Sequence, residues 1–229
     1  MRRLFLFLLI APLFGVVQSC TDQGTETRDI SVLFIGNSYT FQHDIPDRVK
    51  GLAPVRDGVR IRYKTALIAD GGVNLIKYVD DPRVMRTLAR EDWNVIILQD
   101  RSTAAFYQKE RAEFDAALKW FKARADEEGA DLILFETWPR RTGHPFYRAS
   151  PAAGFSPPRH QADMARTIRS TYARGAEAVG ARVAPVGTCW MQADAINALY
   201  GSDGSHASQS GADLAARVLE NAINGETGC

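Results

Sequence analysis

The sequence predicts an α/β fold, a three-layer α/β/α sandwich around a mainly parallel sheet of about five strands. Short, almost wholly apolar runs recur along the chain, as expected for strands that helices cover on both faces. Segments with apolar residues at helical spacing separate these runs, and such alternation favours parallel strands. With 229 residues and no obvious linker, the chain is long enough to form one substantial core.

In the first half of the chain, three strand patterns alternate with two helix starts. Residues 31–36 form the first buried strand pattern, and residues 59–69 have an extended pattern. A helix begins at residues 44–46, where an aspartate can cap it and a proline stands in its first turn. Residues 81–88 form a second short helix of the same kind, and residues 93–98 are the next buried strand.

The second half begins with the clearest helix of the chain. Phe114, Leu118, Phe121 and Ala125 recur at helical spacing, and Gly129 stands where a C-terminal cap is expected. The elements that follow are a buried strand over 131–136, a loop over 139–158, a helix around 164–172, a strand over 182–186 and a final helix around 214–219. Loops as long as this one are often functional in compact domains.

The first twenty residues have the pattern of a secretory signal. Two arginines precede the apolar run 4–17, which is too short for a comfortable transmembrane helix. The run ends before Cys20 in a segment that resembles the lipobox of bacterial lipoproteins. We therefore expect a signal peptide over 1–19, acylation of Cys20, a tether over 20–29 and one domain over 30–229. The alternative is an ordinary cleaved signal with an incidental cysteine.

These features imply export to the bacterial cell envelope, with membrane contact only through the lipid at Cys20, or otherwise a periplasmic or secreted protein. A net charge of +1 argues against a nucleic-acid partner. Export permits a disulfide between Cys189 and Cys229, but their separation in sequence leaves the pairing open. Neither cysteine has metal-ligand spacing to a histidine, so we predict no metal and no cofactor.

Ser38 is the first candidate catalytic residue. It follows the strand that ends at Gly36, which places its hydroxyl at the carboxyl edge of the sheet, where sites gather in such folds. A serine becomes a nucleophile when a neighbouring base takes its proton. The alternative is a serine that only caps the following helix.

His206 is the candidate base. Among the four histidines, it alone has an aspartate three residues before it, Asp203, and a position in a loop before a helix. This spacing lets the Asp203 carboxylate reach Nδ1 while Nε2 faces outward, which fixes the tautomer that a general base needs. The alternative is a plain turn with a surface histidine.

Together these segments resemble the SGNH (GDSL-like) hydrolase superfamily over residues 30–224. Its first block, usually Gly-Asp-Ser, is here Gly36-Asn37-Ser38, and its last block, Asp-x-x-His, is here Asp203 to His206. The resemblance implies an esterase with Ser38 as nucleophile, His206 as base and Asp203 as its orienting carboxylate. It also implies an uncharacterised exported branch with Gly-Asn-Ser in the first block.

The resemblance further implies an oxyanion hole, the set of donors that stabilises the negative oxygen of the reaction intermediate. The backbone N–H groups of Ser38 and Gly72 match two donors, with Gly71 as the alternative to Gly72. The third donor in the family is an asparagine side chain, which is absent here. Gln99 carries the same amide and takes that place in our prediction.

The substrate is expected to be a small-molecule or carbohydrate ester that loses a small acyl group such as acetyl. This expectation follows from the resemblance and from export. Tyr39, Arg101 and Trp138 are the predicted substrate-binding residues. Tyr39 and Trp138 are expected to line the rim of the site, and Arg101 to meet either an anionic substrate or a nearby carboxylate. The altered third block supports an alternative, a weak or inactive relative that binds a glycan or a partner at the envelope. A flavodoxin-like nucleotide binder would share the sheet, but the chain lacks a phosphate loop.

Overall fold

A computed structural model of the protein describes residues 26–229, which form one six-stranded sheet with helices on both faces. The strands are β1 (Thr27–Gly36), β2 (Val55–Arg56), β3 (Val59–Ala69), β4 (Val95–Leu98), β5 (Asp131–Phe135) and β6 (Arg182–Ala184). Their order is β2-β3-β1-β4-β5-β6. All neighbours pair in parallel except β2 and β3. The predicted α/β/α sandwich is confirmed, and the short β2 adds a sixth strand.

Seven α-helices accompany the sheet within the described residues. They are α1 (Ser38–Phe41), α2 (Ile45–Gly51), α3 (Pro82–Leu88), α4 (Gln108–Glu128), α5 (Gln161–Val179), α6 (Val186–Gln192) and α7 (Gln209–Ile223). The helix predicted to end at Gly129 does so, with that glycine at φ +66°. The positive φ suits glycine because it carries no Cβ.

The sheet has a hydrophobic core on each face. Val32 and Phe34 of β1 pack with α2, α6 and α7, whereas Leu33 and Ile35 pack with α3, α4 and α5. Successive side chains of a strand point to opposite faces, so a strand covered on both sides must be apolar at every position. All four side chains are fully buried. This double burial accounts for the continuous apolar run that the sequence shows here.

The structure differs from the sequence-based expectations at several points. β1 begins at Thr27, so the last residues assigned to the tether are strand, and the leader and Cys20 lie outside the described residues. The strand predicted over 182–186 ends at Ala184, because Pro185 has no N–H with which to continue a ladder. Helix α6 begins directly after this proline and was not predicted. Across residues 26–229, no helix combines the length and the apolar character needed to cross a bilayer.

A disulfide joins Cys189 in α6 to Cys229, the last residue of the chain. The Cα atoms of the two residues are 5.3 Å apart, a normal separation for a bridged pair. The bond closes a loop across 40 positions of sequence. It therefore ties the end of the chain to the helix that follows β6.

We expect Cys229→Ser to lower the free energy of unfolding by about 2 to 4 kcal/mol, because the unfolded chain regains the conformations that the closed loop excludes. Urea denaturation with and without dithiothreitol measures this loss. The reductant should destabilise the wild type to the same degree and leave the variant unchanged. Identical urea midpoints for the oxidised wild type and the variant would contradict the expectation.

Candidate active site

The turn after β1 places Ser38 at the carboxyl edge of the sheet. Asn37 leaves the strand and caps α1, with its Oδ1 accepting a hydrogen bond from the Tyr39 N–H at 3.1 Å. Its Nδ2 donates to the carbonyl of Val73 at 3.0 Å, which fixes the loop after β3 beside this turn. Ser38, the first residue of α1, is partly exposed and can be reached from solvent.

The structure brings Ser38, His206 and Asp203 together in a line. The Ser38 Oγ lies 2.9 Å from the His206 Nε2, and the His206 Nδ1 lies 2.5 Å from an Asp203 carboxylate oxygen. An ionised carboxylate only accepts hydrogen bonds, so the ring proton lies on Nδ1 and Nε2 accepts from the serine hydroxyl. This is the geometry that a serine nucleophile and its base require.

Backbone donors hold the Asp203 carboxylate as well. Its Oδ1 accepts from the N–H of Ser205 at 2.9 Å and from the N–H of His206 at 3.0 Å. Partial burial disfavours the charged form, but the hydrogen bonds from the His206 side chain and the two N–H groups outweigh it and lower the pKa of Asp203 to about 2. Asp203 is therefore ionised at every pH at which His206 could act as a base.

The backbone N–H of Ser38 is available to an oxyanion. It belongs to the first turn of α1, where N–H groups have no partner within the helix, and no protein acceptor for it is found in residues 26–229. Gly72 lies in the exposed loop after β3, at φ +70°. The contact between Asn37 and Val73 holds this loop next to the serine turn. The role predicted for the Gly72 N–H stays a prediction.

Gln99 does not face the position of an oxyanion, which corrects the sequence-based assignment. Its Oε1 accepts from the Asn37 N–H at 2.9 Å and from the Thr40 hydroxyl at 2.8 Å, and its Nε2 donates to the carbonyl of Asp100. The side chain is only 1% exposed. Gln99 thus supports the serine turn from beneath and is not a third oxyanion donor.

Gly36 allows this support to come close. A Cβ at that position would lie 2.7 Å from the Gln99 Oε1 and 2.4 Å from the Thr40 Oγ1, nearer than real Cβ atoms approach. The first-block glycine is therefore required by packing against Gln99 and Thr40.

Tyr39 and Trp138 do not line the rim, contrary to the prediction. Trp138 is fully buried and Tyr39 is 5% exposed. The Trp138 ring stacks between the rings of Tyr39 and Trp190, with centroid distances of 4.5 and 4.2 Å. The aromatic stack contacts the site through Tyr39, whose ring and the His206 ring form a T-shaped pair at a centroid distance of 5.3 Å.

Arg101, the third predicted substrate-binding residue, is engaged with protein groups. Its guanidinium binds the carboxylate of Glu110 and lies over the ring of Tyr107, 5.8 Å from the ring centroid. The sequence left open whether this arginine meets a substrate anion or a nearby carboxylate. The structure gives it a carboxylate partner, which corrects its assignment as a substrate-binding residue.

The loop over residues 139–158 was expected to be functional, and the start of this loop holds the turn that carries His206. The Arg141 N–H donates to the carbonyl of Gly204 at 2.8 Å. Just before the loop, the Trp138 indole N–H donates to the carbonyl of Ser205 at 2.8 Å. Sequence reasoning did not find these contacts, because they join segments more than sixty residues apart.

Asp100 is a buried carboxylate that lies beneath the same edge of the sheet. Its Oδ1 accepts from the N–H groups of Leu75 and Arg101 at 2.9 and 2.7 Å. Burial raises the pKa of Asp100 to about 7, although the two N–H groups work in the opposite direction. Between pH 4 and 7 the folded protein therefore holds a proton here that the unfolded chain releases.

Because the folded state binds this proton and the unfolded chain does not, the free energy of unfolding falls as the pH rises from 4 to 7. In Asp100→Asn the side chain cannot ionise, and its oxygen still accepts from both N–H groups. The quantity to compare is the free energy of unfolding of the variant minus that of the wild type. We expect this difference to be about 2 to 4 kcal/mol larger at pH 8 than at pH 4. Urea denaturation of both proteins across this range measures the effect, and parallel pH profiles would refute it.

The fold and the line of Ser38, His206 and Asp203 define a member of the SGNH hydrolase superfamily. Among solved structures, a protein from Slackia heliotrinireducens, provisionally described as an SGNH hydrolase, is similar over 85% of this chain and 98% of its own, with a TM-score of 0.68 and 26% identity. No protein-family model matches the sequence, and no curated protein is significantly similar to it.

Two more distant structures share the fold alone. A DUF4886 family protein from Bacteroides uniformis is 19% identical, with a TM-score of 0.64 over 87% of this chain and 84% of its own. An acetylxylan esterase from Geobacillus stearothermophilus is 14% identical, with a TM-score of 0.53 over 86% of this chain and 95% of its own. The similarity to the protein from Slackia heliotrinireducens confirms, at the level of the superfamily, the resemblance seen in the sequence.

Proposed function

We propose that this protein is an exported serine esterase that removes small acyl groups, such as acetyl, from carbohydrate esters. The observation that carries the proposal is the line from the Ser38 hydroxyl through the His206 imidazole to the Asp203 carboxylate. The hydroxyl is partly exposed at the carboxyl edge of the sheet, where a substrate can approach it.

In the proposed reaction, His206 takes the proton of the Ser38 hydroxyl as its oxygen attacks the ester carbonyl carbon. The oxyanion of the tetrahedral intermediate accepts hydrogen bonds from the N–H groups of Ser38 and Gly72. The intermediate collapses, the bond to the alcohol breaks, and His206 protonates the departing oxygen. A water molecule, deprotonated by His206, then attacks the acyl-serine and releases the acid and the free serine.

The acyl group is proposed to be small, and the alcohol a carbohydrate. The acetylxylan esterase among the structural neighbours supports both parts of this assignment. The disulfide between Cys189 and Cys229 supports export, because such bonds persist in oxidising compartments. Acylation of Cys20 would keep the enzyme at the envelope, and this anchor is part of the proposal.

A fluorophosphonate probe tests the proposal, because it reacts only with an activated serine. We expect stoichiometric labelling of the peptide that contains Ser38, identified by mass spectrometry, and loss of labelling in His206→Ala. Hydrolysis of 4-nitrophenyl acetate should stop in step with labelling. A folded protein that neither reacts with the probe nor cleaves the ester would instead support the alternative function, an inactive relative that binds a glycan or a partner at the envelope.

A further inference from the structure

Three arginines and a histidine lie together beside the proposed active site. We call Arg140, Arg141, His144 and Arg148 the basic rim; all four belong to the loop over residues 139–158. The loop contributes no acidic residue between positions 139 and 158. The mechanism described above uses none of these four side chains.

Contacts with the turn that carries His206 fix the position of three members of the basic rim, and the fourth, Arg148, donates to the carbonyl of Gly143 at 3.1 Å. The Arg140 guanidinium donates to the Ser205 hydroxyl, and the His144 Nε2 lies 3.1 Å from the same oxygen. The Arg141 side chain packs against Gly204, where a Cβ would lie 3.3 Å from its Nε. The rim therefore borders the residues directly before His206.

The charges of the rim converge on His144. Burial lowers the pKa of this imidazole, and the three neighbouring guanidinium groups lower it further. Asp203, already engaged with His206, is the carboxylate that acts in the opposite direction.

The three guanidinium groups lack anionic partners of their own. Among residues 26–229, no carboxylate lies within 4.0 Å of Arg140, Arg141 or Arg148. The Nε of Arg140 is buried and has no hydrogen-bond acceptor in this part of the chain. Positive groups gathered beside a site without counter-ions attract an anion to it.

We propose that the basic rim binds an anionic group, a carboxylate or a sulfate, on the alcohol part of the substrate. This inference rests on the proposed esterase function and narrows its substrate to acidic alcohols such as acidic sugars. The geometry places the anionic group on the alcohol part of the ester and not on the acyl part. His206 protonates the departing alcohol, and the rim borders the His206 turn, whereas the oxyanion donors lie at the Ser38 turn. Guanidinium groups match the planar fork of a carboxylate.

A pair of aryl acetates tests the inference with wild-type protein. The substrates are 3-acetoxybenzoate, which carries a carboxylate on the leaving group, and 3-acetoxybenzamide, which is neutral and of the same shape. We expect kcat/KM to be roughly tenfold to a hundredfold higher for the benzoate, as for a charge-assisted hydrogen bond. The preference should shrink as the salt concentration rises from 0.05 to 0.5 M, because the screening length then falls from about 14 to about 4 Å.

Variants localise the preference. In Arg141→Gln/Arg148→Gln, the ratio of kcat/KM for the two esters should fall towards one, because two of the three guanidinium groups are removed. Arg217→Gln is the matched control, since it removes the same kind of charge from an exposed position on α7 that forms no ion pair among the described residues. It should leave the ratio unchanged, and an equal fall in both proteins would overturn the inference.

Binding to Ser38→Ala separates the rim from the esterase activity. Isothermal titration calorimetry with 3-acetoxybenzoate should give a Kd at least tenfold lower than with 3-acetoxybenzamide. A third ligand, 3-acetoxybenzenesulfonate, tests a tetrahedral anion in the same position. If wild type cleaves no ester but Ser38→Ala binds the anions more tightly, the rim stands and the esterase proposal falls. If wild type cleaves both acetates equally and binding is also equal, the rim is refuted and the esterase stands.

Discussion

Ser38→Ala is expected to lower kcat for a short acyl ester by about 10⁴- to 10⁶-fold, because the attacking oxygen is lost and only transition-state binding remains. Within residues 26–229, the hydroxyl has one side-chain partner, the Nε2 of His206. Its removal should therefore leave the fold intact. Initial rates with 4-nitrophenyl acetate, at matched protein concentration and with the melting temperature as a check on folding, measure the loss.

Two further variants decide whether this loss is specific. His206→Ala should cost about as much, and the double variant little more, since a nucleophile and its base act as one unit. Ser210→Ala removes a hydroxyl from an exposed position on α7 and should retain full activity. A Ser38→Ala protein that keeps more than a tenth of the wild-type rate would exclude Ser38 as the nucleophile.

Asp203→Asn is expected to lower kcat by about 10³- to 10⁴-fold through the wrong tautomer of His206. The side-chain oxygen of the asparagine must still accept from the N–H groups of Ser205 and His206, as the Asp203 Oδ1 does. The amide NH₂ group then points at the Nδ1 of His206. Nδ1 becomes an acceptor, the ring proton moves to Nε2, and Nε2 can no longer take the serine proton.

Nitrogen-15 NMR of the His206 ring distinguishes the tautomers directly, and steady-state kinetics give the rate. The control is Gln209→Glu, a substitution of similar size at an exposed position three residues after His206. It should leave the tautomer of His206 and the rate near those of the wild type. Since the pKa of Asp203 is about 2, lowering the pH to 5 should not reproduce the asparagine phenotype by protonating this carboxylate. A loss of less than tenfold in Asp203→Asn would show that orientation comes from elsewhere.

The positions of Ser38, Asp203 and His206 could be predicted from the sequence because parallel strands end at a common edge. The apolar run of β1 identifies the strand, and the residue that follows it must lie at that edge. Asp203 and His206 are three positions apart, so their contact is local and depends little on the rest of the fold. The pairing of Ser38 with His206 then needs only the order of the elements.

The surroundings of the site could not be predicted, because they depend on contacts between distant segments. Trp138 resembles a rim residue in sequence, but α6 places Trp190 against it and buries it. Gln99 has the chemistry of an oxyanion donor, and only the packing of Gly36 and Thr40 shows that its amide faces the serine turn. Neither contact has a local sequence signature.

The disulfide between Cys189 and Cys229 encloses the segment that carries Asp203 and His206. A protease that cuts the backbone once between these cysteines cannot detach the base from the rest of the molecule, because both fragments stay joined through sulfur. A single nick between the two cysteines therefore leaves Asp203 and His206 covalently attached to the rest of the site.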